Sequence, residues 1–269
     1  GLHPTAELGD ARLVDAERYR RVDEEMRGLI RRTPECALHV HVGMPDAETA
    51  LRAFNGLRAR LPLLQGLSAN SPRWFGVDSG LASARFALVR AYPGRGIPPA
   101  FRDFGDWIEL VGQAAAAGGL GDYTLLWWDV RLHPRLGTVE VREMDAQASR
   151  EDAAALAALV HALAVHEAQR APVPPPPPPE AIAWSSFRAA RDGLEATILH
   201  EGTLAPLELA ARETVARVRS QARELGADGA LEGIERILRR GGGAARQRAA
   251  YADGGTAAVL DMLVEETAR

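Results

Sequence analysis

Two short segments constrain this chain more than any others. Ala37-Leu38-His39-Val40-His41-Val42-Gly43 and Gly137-Thr138-Val139-Glu140-Val141-Arg142 both alternate polar and apolar side chains. A strand sends successive side chains to opposite faces, so His39 and His41 share one face and Leu38, Val40 and Val42 the other. Glu140 and Arg142 point one way in the same manner, with Val139 and Val141 opposite. Each apolar face needs a packed core, and each polar face is then free to line a cleft. Asp122 to Leu132 continues the theme, setting Trp127, Asp129 and Arg131 against Leu126, Trp128, Val130 and Leu132. His133-Pro134-Arg135-Leu136-Gly137 then turns the chain, which predicts an antiparallel hairpin with the Glu140 strand.

Helical segments intermingle with these strands. Residues 10–32 are charged and lack alternation, and read as a helix running into the His39 strand. Pro45-Asp46 opens an amphipathic helix, with Asp46 as N-cap and Ala47, Ala50, Leu51, Phe54, Leu57 and Leu61 at helical spacing. Ser68 to Pro72 is loop chemistry. Ala82 to Tyr92 reads as a further strand with Arg85 on one face and Phe86 and Leu88 on the other, ended by Pro93-Gly94-Arg95-Gly96-Ile97-Pro98-Pro99. Helices are predicted over Phe101–Ala117 and Ala153–Val165, and over most of Phe187–Thr267 with interruptions at Gly226, Gly241–Gly243 and Gly254-Gly255. The Pro174–Pro179 run, within a Pro-rich connection at 172–180, admits only polyproline II. There is no regular strand–helix–parallel-strand cadence. The pattern is α+β, an antiparallel sheet backed by helices.

Composition narrows the function classes. Hydrophobic residues at 46% and charged residues at 25% are those of an ordinary globular chain, and 269 residues can bury a sizeable core. A net charge of -4 supplies no basic field for nucleic acid or an anionic membrane. No stretch reaches the roughly 20 apolar residues of a membrane span. Cys36 stands alone, which excludes an internal disulfide, fits a reducing cytoplasmic compartment, and suits a small core residue better than a redox thiol. The chain opens at Gly1 with neither Met nor a signal pattern, as a segment of a longer protein would.

Two imidazoles, a carboxylate and a guanidinium on facing strands suit a divalent metal and polyphosphate, so an ATP-using enzyme is the reading to test. Ordinary alternatives carry the same spacing. The histidines could face solvent idly, Glu140 and Arg142 could form a surface ion pair, and Asp129 and Arg131 could pair with each other. Arg85 and Arg95 could bind anions, Arg95 from a Gly/Pro loop able to close over a ligand. Arg246-Gln247-Arg248 after the triple glycine could contact phosphate or simply be solvated. Neither Gly118–Gly121 nor Gly241–Gly243 has the strand, lysine and helix of a P-loop.

At these residues a resemblance enters. His39-Val40-His41-Val42-Gly43 with Pro45-Asp46, then Leu67-Ser68-Ala69-Asn70-Ser71-Pro72, resembles the type 2 glutamate–cysteine ligase family, and within it the YbdK-like carboxylate–amine ligases. Gly80-Leu81-Ala82-Ser83-Ala84-Arg85, the Arg95 loop, Trp127-Trp128-Asp129-Val130-Arg131 with Pro134-Arg135, Thr138 to Arg142 with Asp145 and Gln147, and Gly243 to Arg248 continue it in order over nearly the whole chain. The resemblance implies a glutamine synthetase-like fold and an ATP- and Mg²⁺-dependent ligase. Such an enzyme joins a carboxylate, in this family glutamate, to an amine such as cysteine through an acyl phosphate. It implies His39 and Glu140 as metal ligands and His41, Arg246 and Arg248 as nucleotide contacts. Arg142 and Arg131 would be catalytic, and Arg85 and Arg95 would bind substrate. The same resemblance leaves a homo-oligomer open.

Two departures matter. The family's acidic strand upstream of the histidines has no counterpart before His39. The expectation is one ligase domain over 1–269, incomplete at its amino end or completed by another polypeptide, with a non-catalytic ligase-like scaffold as the alternative. Ser185 and Phe187 stand where the family often has Asn and Trp.

Overall fold

Gly137 makes the hairpin possible: at φ 63°, ψ 36° it sits in the left-handed region that glycine enters without steric cost. In the computed structural model, which describes residues 1–7, 9–30, 35–119, 121–170 and 176–268, the elements follow one another in this order. They are α1 (Glu17–Met26), β1 (Val40–Gly43), α2 (Ala47–Ser68), β2 (Arg73–Trp74), β3 (Val77–Asp78), α3 (Ala84–Val89), α4 (Phe104–Ala117), β4 (Val130–His133), β5 (Thr138–Val141) and α5 (Arg150–Gln169). The second half holds α6 (Pro179–Asp192), β6 (Thr197–His200), β7 (Thr203–Pro206), α7 (Leu207–Glu224), α8 (Asp228–Leu231), α9 (Gly233–Arg240) and α10 (Gly243–Ala268).

β4 and β5 form the expected hairpin, and β1 adds antiparallel to the other edge of β5, giving the order β1-β5-β4. Val40 and Val130 both lie opposite Val141, and His41 and Arg131 both lie opposite Glu140. Val42, Val130, Leu132, Val139 and Val141 therefore fall on one buried face, packed into the main core with α2 and α5. The polar side chains fall on the other. Upstream of β1, Ala37 bridges Asp145 and the Leu38 N–H donates to the Met144 carbonyl. The pairing has slipped by one residue there, so the β5 side carries a bulge across residues 142–144.

Helix α2 is capped as expected, Asp46 accepting from the Thr49 N–H at 2.7 Å. It runs through Pro62 to Ser68 and is buried on nearly every side because the sheet, α5 and α6 surround it. Gly66 allows that closeness: a Cβ there would lie 2.1 Å from Leu207 Cδ1. Arg58 donates to the Pro98 carbonyl at 2.7 Å and Asn55 to the Phe101 carbonyl at 2.8 Å, so α2 also fixes the loop that carries Arg95.

Several expectations are corrected. Residues 84–89 form helix α3, not a strand, because Ser83 accepts from the Phe86 N–H and caps a turn whose Ala84, Arg85, Phe86, Leu88 and Val89 are all buried. The strand read over Asp122–Leu132 is confined to β4, since Asp122 caps a tight turn at Tyr123–Leu125 first. The amino-terminal helix is only α1, followed by a short 3-10 turn at Arg27–Leu29, and the Arg31 and Arg32 end of that expectation lies outside the described residues. The β6–β7 hairpin interrupts the carboxy-terminal helices, its two-residue turn holding Glu201 at φ 47° and Gly202 at φ 83°. Residues 172–175 of the Pro-rich connection lie outside the described residues, and Pro179 starts α6, where its missing N–H costs nothing. Cys36 is exposed, not a core residue. Among the described residues no helix is long and apolar enough to cross a membrane.

Candidate active site

The polar face of the sheet is organised around one carboxylate. Glu140 is buried, and its two oxygens are shared among four side chains. Arg131 on β4 donates to Oε2 through Nε at 2.9 Å and Nη2 at 2.7 Å. Arg142 donates to Oε1 at 2.6 Å, with His41 Nε2 at 3.2 Å and His39 Nδ1 at 3.5 Å from the same oxygen. Burial alone would raise the Glu140 pKa, but Arg142 and Arg131 outweigh it and hold the carboxyl below its usual range. His39 is pushed down to about 3 by desolvation and by Arg142, so it is neutral at pH 7. His41 Nδ1 lies 3.0 Å from Thr138 Oγ1, so both of its ring nitrogens are engaged.

Behind this row lies a second layer. Asp129, fully buried, takes Arg90 at 2.6 Å and Arg95 at 3.1 Å. Arg90 reaches on to Glu143 at 3.3 Å. Arg85 and Arg95 both donate to the Arg142 carbonyl, at 3.5 and 3.3 Å, and Arg85 also donates to the Glu143 carbonyl at 3.0 Å. Asp145 accepts from the Asn70 N–H at 2.9 Å and the Ser71 hydroxyl at 2.7 Å, with Arg85 at 3.6 Å. Glu143 behaves differently from its neighbours. Burial, reinforced by Asp129, raises it to about 8, so it carries a proton at pH 7.

The charges do not balance. Arg85, Arg90, Arg95, Arg131 and Arg142 bring five formal positive charges against three from Asp129, Glu140 and Asp145, an excess of two. Arg85 Nε and Arg142 Nε are buried without a hydrogen-bond partner. A low-dielectric cluster with surplus guanidinium charge and unspent N–H donors attracts an anion, and planar forks suit carboxylate or phosphate.

Seven of the nine sequence-derived candidates thus converge: His39, His41, Arg85, Arg95, Arg131, Glu140 and Arg142. Arg246 and Arg248 belong to other networks. Arg246 forks onto Glu266 at 3.0 Å and reaches Asp152 at 3.5 Å; Arg248 forks onto Asp78 at 2.8 and 2.9 Å. The residue between them is the one tied toward the cluster, Gln247 donating to Asn70 Oδ1 at 2.8 Å. Asp129 and Arg131 do not pair with each other, because each finds a partner across the sheet or from the Arg95 loop. Arg95 itself is packed against Asp129 with its side chain 5% exposed rather than waving over a ligand. Ser185 accepts from the Leu199 N–H at 2.6 Å and Phe187 packs tilted against Phe86 and edge-on to Trp184, so both fill structural roles.

Sequence reasoning missed Arg90, Glu143 and His133. Arg90 was hidden by the wrong strand assignment over 82–92. Glu143 sits within the bulge, where alternation no longer tells inside from outside. His133 was read only as part of a turn. It lies opposite Thr138 with its ring 5.9 Å from that of His41, and its Nδ1 is 3.1 Å from the Tyr123 hydroxyl.

The donor set does not make a magnesium site on its own. Mg²⁺ takes near-octahedral oxygen ligands, whereas this face offers one carboxylate, both of whose oxygens are held by guanidiniums. Among the described residues no three His, Cys, Asp or Glu side chains are placed to hold a metal.

Comparison with known proteins bears on this geometry. The family model described as glutamate-cysteine ligase family 2 matches residues 1–262. A relative in Rubrobacter xylanophilus is 42% identical over 100% of this chain and 74% of its own length. A Haloquadratum walsbyi protein named glutamate–cysteine ligase is 36% identical over 99% of this chain and 72% of its own. Among solved structures, a glutamate–cysteine ligase from Francisella tularensis in complex with AMP aligns with a TM-score of 0.60 at 13% identity. That alignment covers 83% of this chain and 57% of the solved one. At that identity the likeness speaks to fold, and it agrees with the glutamine synthetase-like antiparallel sheet backed by helices.

Proposed function

This chain belongs to glutamate–cysteine ligase family 2, and from that premise we propose that it carries the site of an ATP-dependent ligase joining glutamate to an amine such as cysteine. The carboxylate oxygen attacks the γ-phosphorus of ATP, releasing ADP and leaving an acyl phosphate. The amine then attacks the acyl carbon and phosphate departs. ATP, glutamate, the acyl phosphate and both leaving groups are anionic, and charge density builds at the transferring group, so catalysis is mainly positioning plus preorganised positive charge. The observation supporting the reading is the guanidinium excess around Glu140, on the polar face of the sheet.

Within the proposal, Arg142 and Arg131 stabilise the transferring phosphoryl group, with Glu140 holding both forks in place. Arg85 and Arg95 support the substrate carboxylate from beneath, through the Arg142 carbonyl and their own charge. His41, Arg246 and Arg248 are assigned to the nucleotide; the two arginines must exchange their present carboxylate partners for phosphate. His39 and Glu140 are the residues to assign to a divalent cation. The donor set does not complete such a site, so no step is drawn through the ion. A reducing, cytoplasmic setting belongs to the same proposal.

Isotope transfer tests the acyl phosphate directly. With glutamate labelled by ¹⁸O in its carboxylates, one label should appear in inorganic phosphate for each amide formed. Amide formation with unlabelled phosphate would exclude the acyl-phosphate path.

A further inference from the structure

An amine that attacks an acyl carbon must do so without its proton. The α-amino group of a free amino acid holds its proton more tightly than a peptide amino terminus, whose pKa is about 8, and so reaches a neutral site mostly as ammonium. A base at the site therefore has to take a proton, and this sequence contains no lysine. Three imidazoles lie on the polar face of the sheet. His41 spends both ring nitrogens on Thr138 and Glu140. His39 is held neutral far below its ordinary range and leans on Glu140, which makes it a feeble base. His133 differs from both. Its Nδ1 is tied to the Tyr123 hydroxyl at 3.1 Å, while its Nε2 makes no hydrogen bond to another of the described residues.

The placement of His133 fits the task. It follows Arg131 by two residues on β4, so both project from the same face, about 7 Å apart along the strand. It is half-buried, hence reachable, and sits across from Thr138 beside His41. Tyr123 lies edge-on to the His133 ring and can accept from Nδ1–H, which selects the tautomer with a bare Nε2. The charged and titratable groups facing the ring are Arg131 on its own strand, Glu140 from β5, His41 from β1, and Tyr123 with the Arg135 stacked over it. Desolvation and Arg131 lower the ring's pKa, which keeps it in the base form at neutral pH.

We propose that His133 is the proton acceptor for the incoming amine, an assignment that rests on the ligase reading. As the amine nitrogen bonds to the acyl carbon, the carbon–oxygen bond to phosphate breaks and its electron pair leaves on phosphate. Before that attack the ammonium proton passes to His133 Nε2 and from there to solvent, and the proton that the nitrogen sheds on becoming an amide leaves with the departing phosphate. Tyr123 acts as a positioning residue by fixing the tautomer.

The test pairs two amines on the full chain. Cysteine must be deprotonated, whereas hydroxylamine is mostly unprotonated at neutral pH. His133→Gln should lower kcat/KM for cysteine by about 100-fold or more, in the range of general base catalysis, and leave the hydroxylamine rate within about 3-fold. Tyr123→Phe, which preserves the ring, should lower the cysteine rate several-fold with hydroxylamine unchanged, and it covers the case in which His133→Gln does not fold. Equal losses with both amines, or no loss with cysteine, would overturn the assignment while leaving the ligase reading intact. Absence of turnover by the wild-type chain with every amine would overturn the ligase reading and His133 with it.

Discussion

Glu143→Gln gives a sharp test of how the buried cluster is charged. Glu143 is enclosed beside Asp129, with Arg90 at 3.3 Å, and burial raises its pKa from 4.5 to about 8. A carboxyl raised in the folded state binds a proton that the unfolded chain releases. Its contribution is fully present below the unfolded value, near 4.5, and is lost as pH rises through the folded value, near 8. At about 1.4 kcal/mol per pK unit, the rise from 4.5 to about 8 amounts to roughly 5 kcal/mol of stability lost across that window. Glutamine copies the shape of the protonated acid and has nothing to ionise. Urea denaturation at pH 5, 6, 7, 8 and 9 should therefore show the variant close to wild type at pH 5 and progressively more stable than it above pH 6. Parallel stability–pH curves would show that Glu143 folds as an ionised group, and the charge excess assigned to the cluster would be wrong.

Glu140→Gln should abolish ADP formation and cost about 3–5 kcal/mol, because it strands two buried guanidiniums without their shared partner; wild-type turnover in a folded variant would remove Glu140 from the site. Gly66→Ala places a methyl 2.1 Å from Leu207 Cδ1 and should lower stability by about 1–3 kcal/mol in a chemical melt. Gly243→Ala would put Cβ 2.1 Å from Asn70 Oδ1 and should break the Asn70–Gln247 link; retained activity and stability would show that the link is dispensable. Arg246→Ala should raise the KM for ATP with kcat little changed, and an unaltered KM would leave Arg246 as the structural partner of Glu266 and Asp152 alone.

The legible parts of the fold were those where a local signal agreed with the tertiary packing. His39–Gly43 and Thr138–Arg142 alternate because one face meets α2 and α5, so period alone sorted core from cleft. Asp46 announced α2 because a cap acts within three residues. Arg85 shows where such reasoning stops. From Ala82 to Val89 every residue but Ala87 is buried, so an inside–outside period could not separate strand from helix; Ser83, a one-residue cap, was the only local clue. Glu143 lies within a bulge that alternation does not count, and Asp145 just past it. The β6–β7 turn uses Glu201-Gly202 rather than the commoner Asn-Gly, with a glutamate in a left-handed conformation. Arg246 and Arg248 carried the right charge for phosphate, but carboxylates distant in sequence, Glu266, Asp152 and Asp78, claim them here.

The guanidinium cluster around Glu140 is expected to serve ligation. ADP release by the chain, measured with ATP, Mg²⁺, glutamate and a panel of amines including cysteine, tests it most directly. ADP formation should need glutamate, be stimulated by amine, and disappear in Glu140→Gln. ADP release at background level with every amine, from protein that is folded, would contradict it.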